Sequence, residues 1–439
     1  MRICGALALM SESTLTLFGS LPDEWEVRPL GEVLEKQVRP VHVNPTETYR
    51  EIGIRSHGRG IFHKESIKGT ELGDKRVFWV EGNCLIFNIV FAWEGAVAVT
   101  RPTDKGMIVS HRFPMFAVRD KNVVEVDYLR RFFQTPLGVR LLGEASPGGA
   151  GRNRTLNQKL LGEVQVPLPP FGEQRKIAAI LASVDDALEA TQTVIDQLNV
   201  VKKAMMAELL TRGLPGRHTG FKQTEIGEVP EEWDVLPLRD LLESIDSGWS
   251  PQCETRPASV DEWGVLKVSA VTSGAFRDDE QKALPPNMAP RPSAEVKSGD
   301  VLLARANGVL ELVGKTVLVR TTRPKLMLSD KLLRLRPIRS RLDAPFLSVA
   351  MGTDAVRSRL LSTTGGSHMR NVSQANLRAL LVPVPPLREQ SQIAGAVDAV
   401  EERLAAEHLS RGELRRLKSA LMSVLLTGEL RVTPDEAAA

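Results

Sequence analysis

Arginine, asparagine, histidine and glycine crowd together at four places in this 439-residue chain. The stretch "IRSHGRGIFHKE" (54–65) sets Arg55, His57, Arg59, His63 and Lys64 around Gly58 and Gly60. "GGAGRNRTLNQ" (148–158) adds Arg152, Asn153, Arg154 and Asn157. "ARANG" (304–308) carries Arg305 and Asn307, with Lys331 and Arg334 further along. "TGGSHMRNVSQ" (364–374) carries Ser367, His368, Arg370, Asn371 and Gln374. Glycine lets backbone approach a phosphate, and Arg, Asn and Gln hold base edges through paired hydrogen bonds. Nucleic-acid contact is the chemistry these clusters suggest. Any one loop charge is more often simply solvated, so the expectation rests on the clusters rather than on single members.

Covalent chemistry finds no such support. "GVLELVGKT" (308–316) resembles a phosphate loop, but five residues separate Gly308 from Gly314 where the Walker pattern has four. The expected structure there is a strand, a turn at Gly314 and another strand. The chain shows no dinucleotide fingerprint, no N-P-P or D-P-P aromatic methyltransferase motif and no H-E-x-x-H or G-x-S-x-G. Pro22–Asp23 has no E-x-K partner to make a nuclease site, and the seven histidines are dispersed. Cys4, Cys84 and Cys253 are scattered, which reads as reduced thiols without a zinc site. An expectation of no metal and no bound cofactor follows.

The elements that must position these clusters come from a repeat. "VPLPPFGEQRKIA" (166–178) and "VPVPPLREQSQIA" (382–394) share V-P-x-P-P-x-x-E-Q-x-x-I-A at an offset of 216 residues. "VKKAMMAELLT" (201–211) and "LKSALMSVLLT" (417–427) match at the same offset. "LPDEWEVRPLGEVLE" (21–35) and "VPEEWDVLPLRDLLE" (229–243) are identical at 8 of 15 positions, with Trp25 answering Trp233. The stretches 36–150 and 244–364 have diverged, although "GNCLIFN" (82–88) and "GDVLLAR" (299–305) could be one strand in two copies.

After each junction the apolar residues step by four and three, the spacing of a helix seam. Ile177, Leu181, Val184, Leu188, Ile195, Leu198 and Leu209 form the first seam, with Thr191, Lys202 and Met205 interposed. Ile393, Val397, Val400, Leu404, Leu414, Leu421 and Leu425 form the second, whose centre is polar from Glu407 through Arg411 to Gly412. The prolines forbid an earlier helical start. Glu173 and Glu389 suit a first turn, and Gly213 and Gly428 suit C-terminal caps. Two rods of forty residues would each span about 60 Å. Rods of equal length with matching seams are expected to pack antiparallel. The fold class is then α+β: two α/β domains of similar fold, joined by two long helices in an antiparallel coiled coil with a pseudo-twofold repeat.

The bulk properties agree with this plan. Apolar content is 42%, charged content 25% and net charge +3, so a nucleic-acid surface must come from local patches. No apolar run is long enough for a membrane span. The start, "MRICGALALMSES", lacks a clear signal cleavage site, and a cytoplasmic location is expected.

The doubled P-x-P-P-x-x-E-Q-x-x-I-A with its following L-L-T resembles the specificity subunit of type I restriction–modification systems. "IGEVPEEW" (226–233) and "YREIGIRSHGRGIF" (49–62) resemble the target-recognition domains of that family. The resemblance covers essentially the whole chain. It implies recognition domains at 21–170 and 229–386, spacer helices at 171–213 and 387–428, a linker at 214–228 and a tail at 429–439, while the residues of 1–20 themselves read as an irregular extension. It also implies a non-catalytic DNA-specificity subunit that reads a bipartite site in double-stranded DNA. Two modification subunits would dock on the helices and methylate adenine at N6 with S-adenosylmethionine. Restriction subunits with ATP and Mg would join in the cleaving complex. A coiled-coil adaptor with protein-binding end domains is the alternative, and an enzyme in its own right a third.

Overall fold

The computed structural model describes residues 17–149, 154–362 and 370–434. It divides into two compact units, residues 1–191 with 410–439, and residues 192–409. Two helices of 39 residues each, Phe171–Leu209 and Leu387–Leu425, contribute to both units.

Each unit is built around the same four-stranded antiparallel sheet. In the first unit the order is Leu34–Gln37, Met115–Val118, Leu85–Phe87, Val97–Val99. In the second it is Leu242–Ser247, Leu332–Pro337, Val301–Ala304, Thr316–Leu318. The stretches 82–88 and 299–305 therefore do supply the same strand, third across the sheet. A second sheet in each unit includes one parallel pairing, Glu51 with Ile108 and Gly264–Leu266 with Leu326–Met327. A further two-stranded ribbon ties the tryptophan lead to the junction: Glu26–Pro29 with Gln165–Leu168, and Asp234–Pro237 with Leu381–Val384.

The junction motif is explained by what its Glu and Gln touch. Gln174 accepts from the Glu125 amide at 2.9 Å and donates to the carbonyls of Val123 and Pro169 at 3.0 and 2.8 Å. Gln390 does the same 216 residues later, with Asp343, Arg341 and Pro385 at 2.8, 2.9 and 2.8 Å. Both glutamines are buried. Each pins the start of a long helix to a loop of its own domain.

The glutamates hold the chain that leaves the other helix. Glu173 accepts two bonds from Arg431, both at 2.8 Å. Glu389 accepts from His218 at 2.8 Å, from Trp233 Nε1 at 3.2 Å and from the Leu214 amide at 3.3 Å. A buried carboxylate survives only with such partners. Helix-dipole stabilisation, the role expected from position alone, is thus joined by a tertiary one. Gly213 and Gly428 both have φ near +70°, at +72° and +76°. A Cβ on Gly213 would lie 2.6 Å from His218, and one on Gly428 would lie 2.5 Å from Pro22. Only glycine fits either turn.

Within each unit the two helix segments run antiparallel. In the first, Glu173 meets Arg431 while Asp185 meets Lys418 at 2.7 Å. In the second, Lys202 meets Glu401 at 2.6 Å while Leu214 meets Glu389. Asp185 and Glu401 are repeat equivalents, and so are Lys418 and Lys202. Each acid also takes an arginine from its domain, Arg131 at 3.0 Å and Arg320 at 3.3 Å.

All fourteen apolar seam residues are at least half-buried. Ile177, Leu181, Val184, Ile195, Leu209, Ile393, Val397, Leu404 and Leu425 are buried. Leu188, Leu198, Val400, Leu414 and Leu421 are half-buried. The polar centre does not break the second helix, which runs unbroken through Gly412. Glu407 is half-buried there and paired with Arg403 one turn earlier.

Candidate nucleic-acid interface

In the first unit the basic loop 55–60 joins strands Thr48–Ile54 and Ile61–Lys68. His57, Gly58 and Gly60 take φ of 59°, 64° and 75°. Two glycines among three left-handed positions let the chain reverse this sharply. The amides of His57 and Gly58 do not face outward. They donate to the carbonyls of Glu94 and Gly95 at 2.8 and 3.0 Å, and Gln134 Nε2 reaches the Gly58 carbonyl at 3.4 Å. The loop is therefore locked on the turn 92–95, and it offers side chains rather than backbone donors. Arg55, His57 and Arg59 are exposed, and the Arg55 guanidinium lies 4.9 Å above the Phe62 ring. His63 and Lys64 are held differently. His63 Nε2 lies 2.7 Å from buried Asp104, and Lys64 lies 3.1 Å from Glu51.

The same turn carries Trp93, which sequence reasoning missed. Its Nε1 donates to the Val90 carbonyl at 3.0 Å, and the Arg154 guanidinium stands 5.7 Å over its ring. Trp93, Arg140, Gly143, Pro147, Gly148 and Arg154 line an open groove of about 510 Å³. The structure thus gathers residues 55–60 and 92–95 with Gly148 and Arg154 on one face, although the first and last of these lie far apart in sequence. Arg152 and Asn153 lie outside the described residues. Asn157 has another duty: its Oδ1 accepts from the amides of Lys159 and Leu160 at 2.9 and 3.3 Å, capping helix Gln158–Glu163. Ser373, its repeat equivalent, caps Gln374–Ala379 in the same way.

In the second unit, Ala306–Asn307 pairs with Arg370–Asn371 as a short antiparallel ribbon. Arg305 Nε donates to Asn371 Oδ1 at 2.9 Å, and its carbonyl accepts from the Val372 amide at 2.9 Å. The Arg305 amide donates to the Lys331 carbonyl at 2.8 Å, so three separate stretches of sequence meet here. Lys331 is exposed, with Asp330 at 3.6 Å. Asn307 accepts from the Val309 amide at 2.9 Å, and Gln374 is half-buried in the first turn of its helix. Ser367 and His368 lie outside the described residues.

Arg334 is a correction to the sequence reading. It is 2% exposed, and its donors go to Asp246, Asp300 and the carbonyls of Glu295 and Ser293. Burial raises the Asp246 carboxyl pKa, but Arg336, Ser244 and Arg334 outweigh it and hold the group below its usual range. Arg334 braces the sheet and has no reach to a groove of DNA.

Cys84 is buried, Cys253 is half-buried, and desolvation raises both thiol pKa values. No group of three or more His, Cys, Asp or Glu among the described residues is placed to hold a metal. No helix among them is long and apolar enough to cross a membrane.

Two stretches, residues 22–200 and 230–414, match the type I restriction modification DNA specificity domain. The chain therefore belongs to the family of type I restriction–modification specificity subunits, with two such domains in tandem. It is 26% identical to the putative type I restriction enzyme MjaX specificity subunit of Methanocaldococcus jannaschii, over 95% of this chain and 96% of that protein. It is 36% identical to the EcoEI specificity subunit of Escherichia coli over 174 residues, 39% of this chain and 29% of that one. Among solved structures, the type I S subunit from M. genitalium aligns with a TM-score of 0.57 at 14% identity, over 92% of this chain and 97% of that one. A chain solved in work on assembly and conformational transition of the type I R-M system gives 0.53 at 18% identity, over 94% of this chain and 100% of that one. At those identities the structural likeness speaks for the fold alone.

Proposed function

We propose that each domain reads one half of a bipartite DNA target and that the chain acts as the non-catalytic specificity component of its system. Modification subunits dock on the long helices and carry out adenine-N6 methylation with S-adenosylmethionine. Restriction subunits using ATP and Mg join them for cleavage. The whole operates in the cytoplasm, on two modification subunits per chain. The observation that supports this reading most is the gathering of cationic segments: loop 55–60 with Arg154 across Trp93, and Arg305 with Asn371 beside Lys331.

The test is methylome mapping in a host carrying this chain and its modification subunit. A split adenine-containing motif is the expected result. Arg154→Ala should alter only one half of that motif, and Arg305→Ala only the other. A continuous motif, or both halves changing with either variant, would overturn the assignment of one half-site to each domain.

A further inference from the structure

The stretch that resembled a phosphate loop does not lie idle on the surface. Gly314, Lys315 and Thr316 line a cavity of about 760 Å³ within the second unit. The loop is no Walker loop. Residues Leu310–Leu312 form a 3₁₀ turn, Gly314 turns the chain at φ +76°, and Thr316 opens a strand instead of a helix. No helix N-terminus is therefore aimed at a ligand through this loop. What the loop delivers to the cavity is a cation.

That cation has no direct partner, and the one carboxylate that favours it, Asp354, is outweighed. No hydrogen bond or ion pair is formed by the Lys315 ammonium among the described residues, and burial lowers its pKa, with Arg357 pushing the same way. Arg359 lines the same cavity. Its Nη2 reaches the Leu381 carbonyl only at 3.5 Å, and its Nε is buried without a partner. Burial lowers the Arg359 pKa too. Of the four carboxylates lining the cavity, Asp398 and Glu401 accept from Arg320, Glu401 also binds Lys202, and Asp354 lies 3.8 Å from Lys203. Met206, Leu210 and Phe276 supply apolar wall.

Desolvated cations without a counter-charge are unfavourable, and an arriving anion relieves them. A volume of several hundred cubic ångströms with apolar walls and a few convergent charges is the usual form of a small-molecule site. We propose that this cavity binds an organic phosphate of the nucleotide class. Lys315 and Arg359 hold the phosphate, and the ring rests against Met206, Leu210 and Phe276. The site shares no residue with the DNA-facing surfaces, so its failure would leave the specificity reading standing.

The experiment is calorimetric titration of the full-length chain with ATP, AMP, adenosine and inorganic triphosphate. ATP and AMP should bind at one site per chain, with adenosine at least tenfold weaker than AMP. Lys315→Met should weaken ATP at least tenfold while leaving the half-site preference on DNA unchanged. Absence of ATP and AMP binding at millimolar concentration would overturn the proposal. Adenosine matching AMP would remove the phosphate contact, and triphosphate matching ATP would remove the ring contact. These ligand comparisons on the unaltered chain decide the matter even if Lys315→Met does not fold.

Discussion

At the residue scale, charged side chains of one type do opposite jobs. Arg154 is exposed and rests on an indole that is itself pinned by a hydrogen bond. Arg154→Ala should weaken binding of the assembled complex to its target by about 1–3 kcal/mol, as loss of a guanine-reading arginine does. A gel shift across a salt series checks this, and unchanged affinity and salt slope would place the residue off the DNA. Arg334 is the contrast. Removing it takes away the buried partner shared by Asp246, Asp300 and the carbonyls of Glu295 and Ser293, so Arg334→Met should destabilise the second unit by about 3–5 kcal/mol, seen in denaturant unfolding, with half-site preference intact in what remains folded. The sequence showed both arginines beside polar neighbours and could not separate them, because burial is set by strands that pair across ninety residues. Trp93 was invisible for a related reason. Its value comes from a loop forty residues upstream and an arginine sixty residues downstream, and nothing in "FAWEG" announces either.

At the element scale, the long helices were legible because their pattern is local. Heptad spacing, the prolines ahead and the glycines behind all act within a few residues of one another. The two buried partners of the junction were legible only as a repeat. That Gln390 bonds Asp343, Arg341 and Pro385 needs coordinates. Gln390→Leu leaves an amide and two carbonyls without partners, each at about 1–3 kcal/mol, and should lower the unfolding midpoint of the second unit well below that of the native chain. The Asp185–Lys418–Arg131 cluster gives a pH dependence. Burial works to raise the Asp185 carboxyl, but Lys418 and Arg131 overcome it and leave the folded pKa below the ordinary value of 3.8. The folded state therefore binds this proton less readily than the unfolded chain. The stabilisation is full above the unfolded pKa of about 4 and is lost as pH falls through the lower folded value. Asp185→Asn should remove that acid-limb dependence from a plot of thermal midpoint against pH, while leaving any dependence between pH 6 and 8 unchanged.

At the scale of the whole molecule, the proposed reading makes the helices a ruler. One heptad inserted into both would lengthen them by about 10 Å. The gap between half-sites should then grow by about three base pairs, at about 3.4 Å each, with both half-sites conserved in the methylome. A changed half-site would count against the ruler. The way the units are assembled has a further outcome during synthesis. The second unit is one continuous run, Gln192–Leu409, whereas the first needs residues from 410 onward, including Leu425 in its core and Arg431 on Glu173. Translation proceeds at about 5–20 residues per second, so the domain made first waits about 10–45 s for the piece that closes it. The core it shares with Leu425 and Leu426 stays incomplete meanwhile, and the later domain can close before the earlier one. A nascent chain ending at Leu409 should yield a protease-resistant second unit and a first unit that is still cut, which makes the earliest-born half of this protein the last to mature.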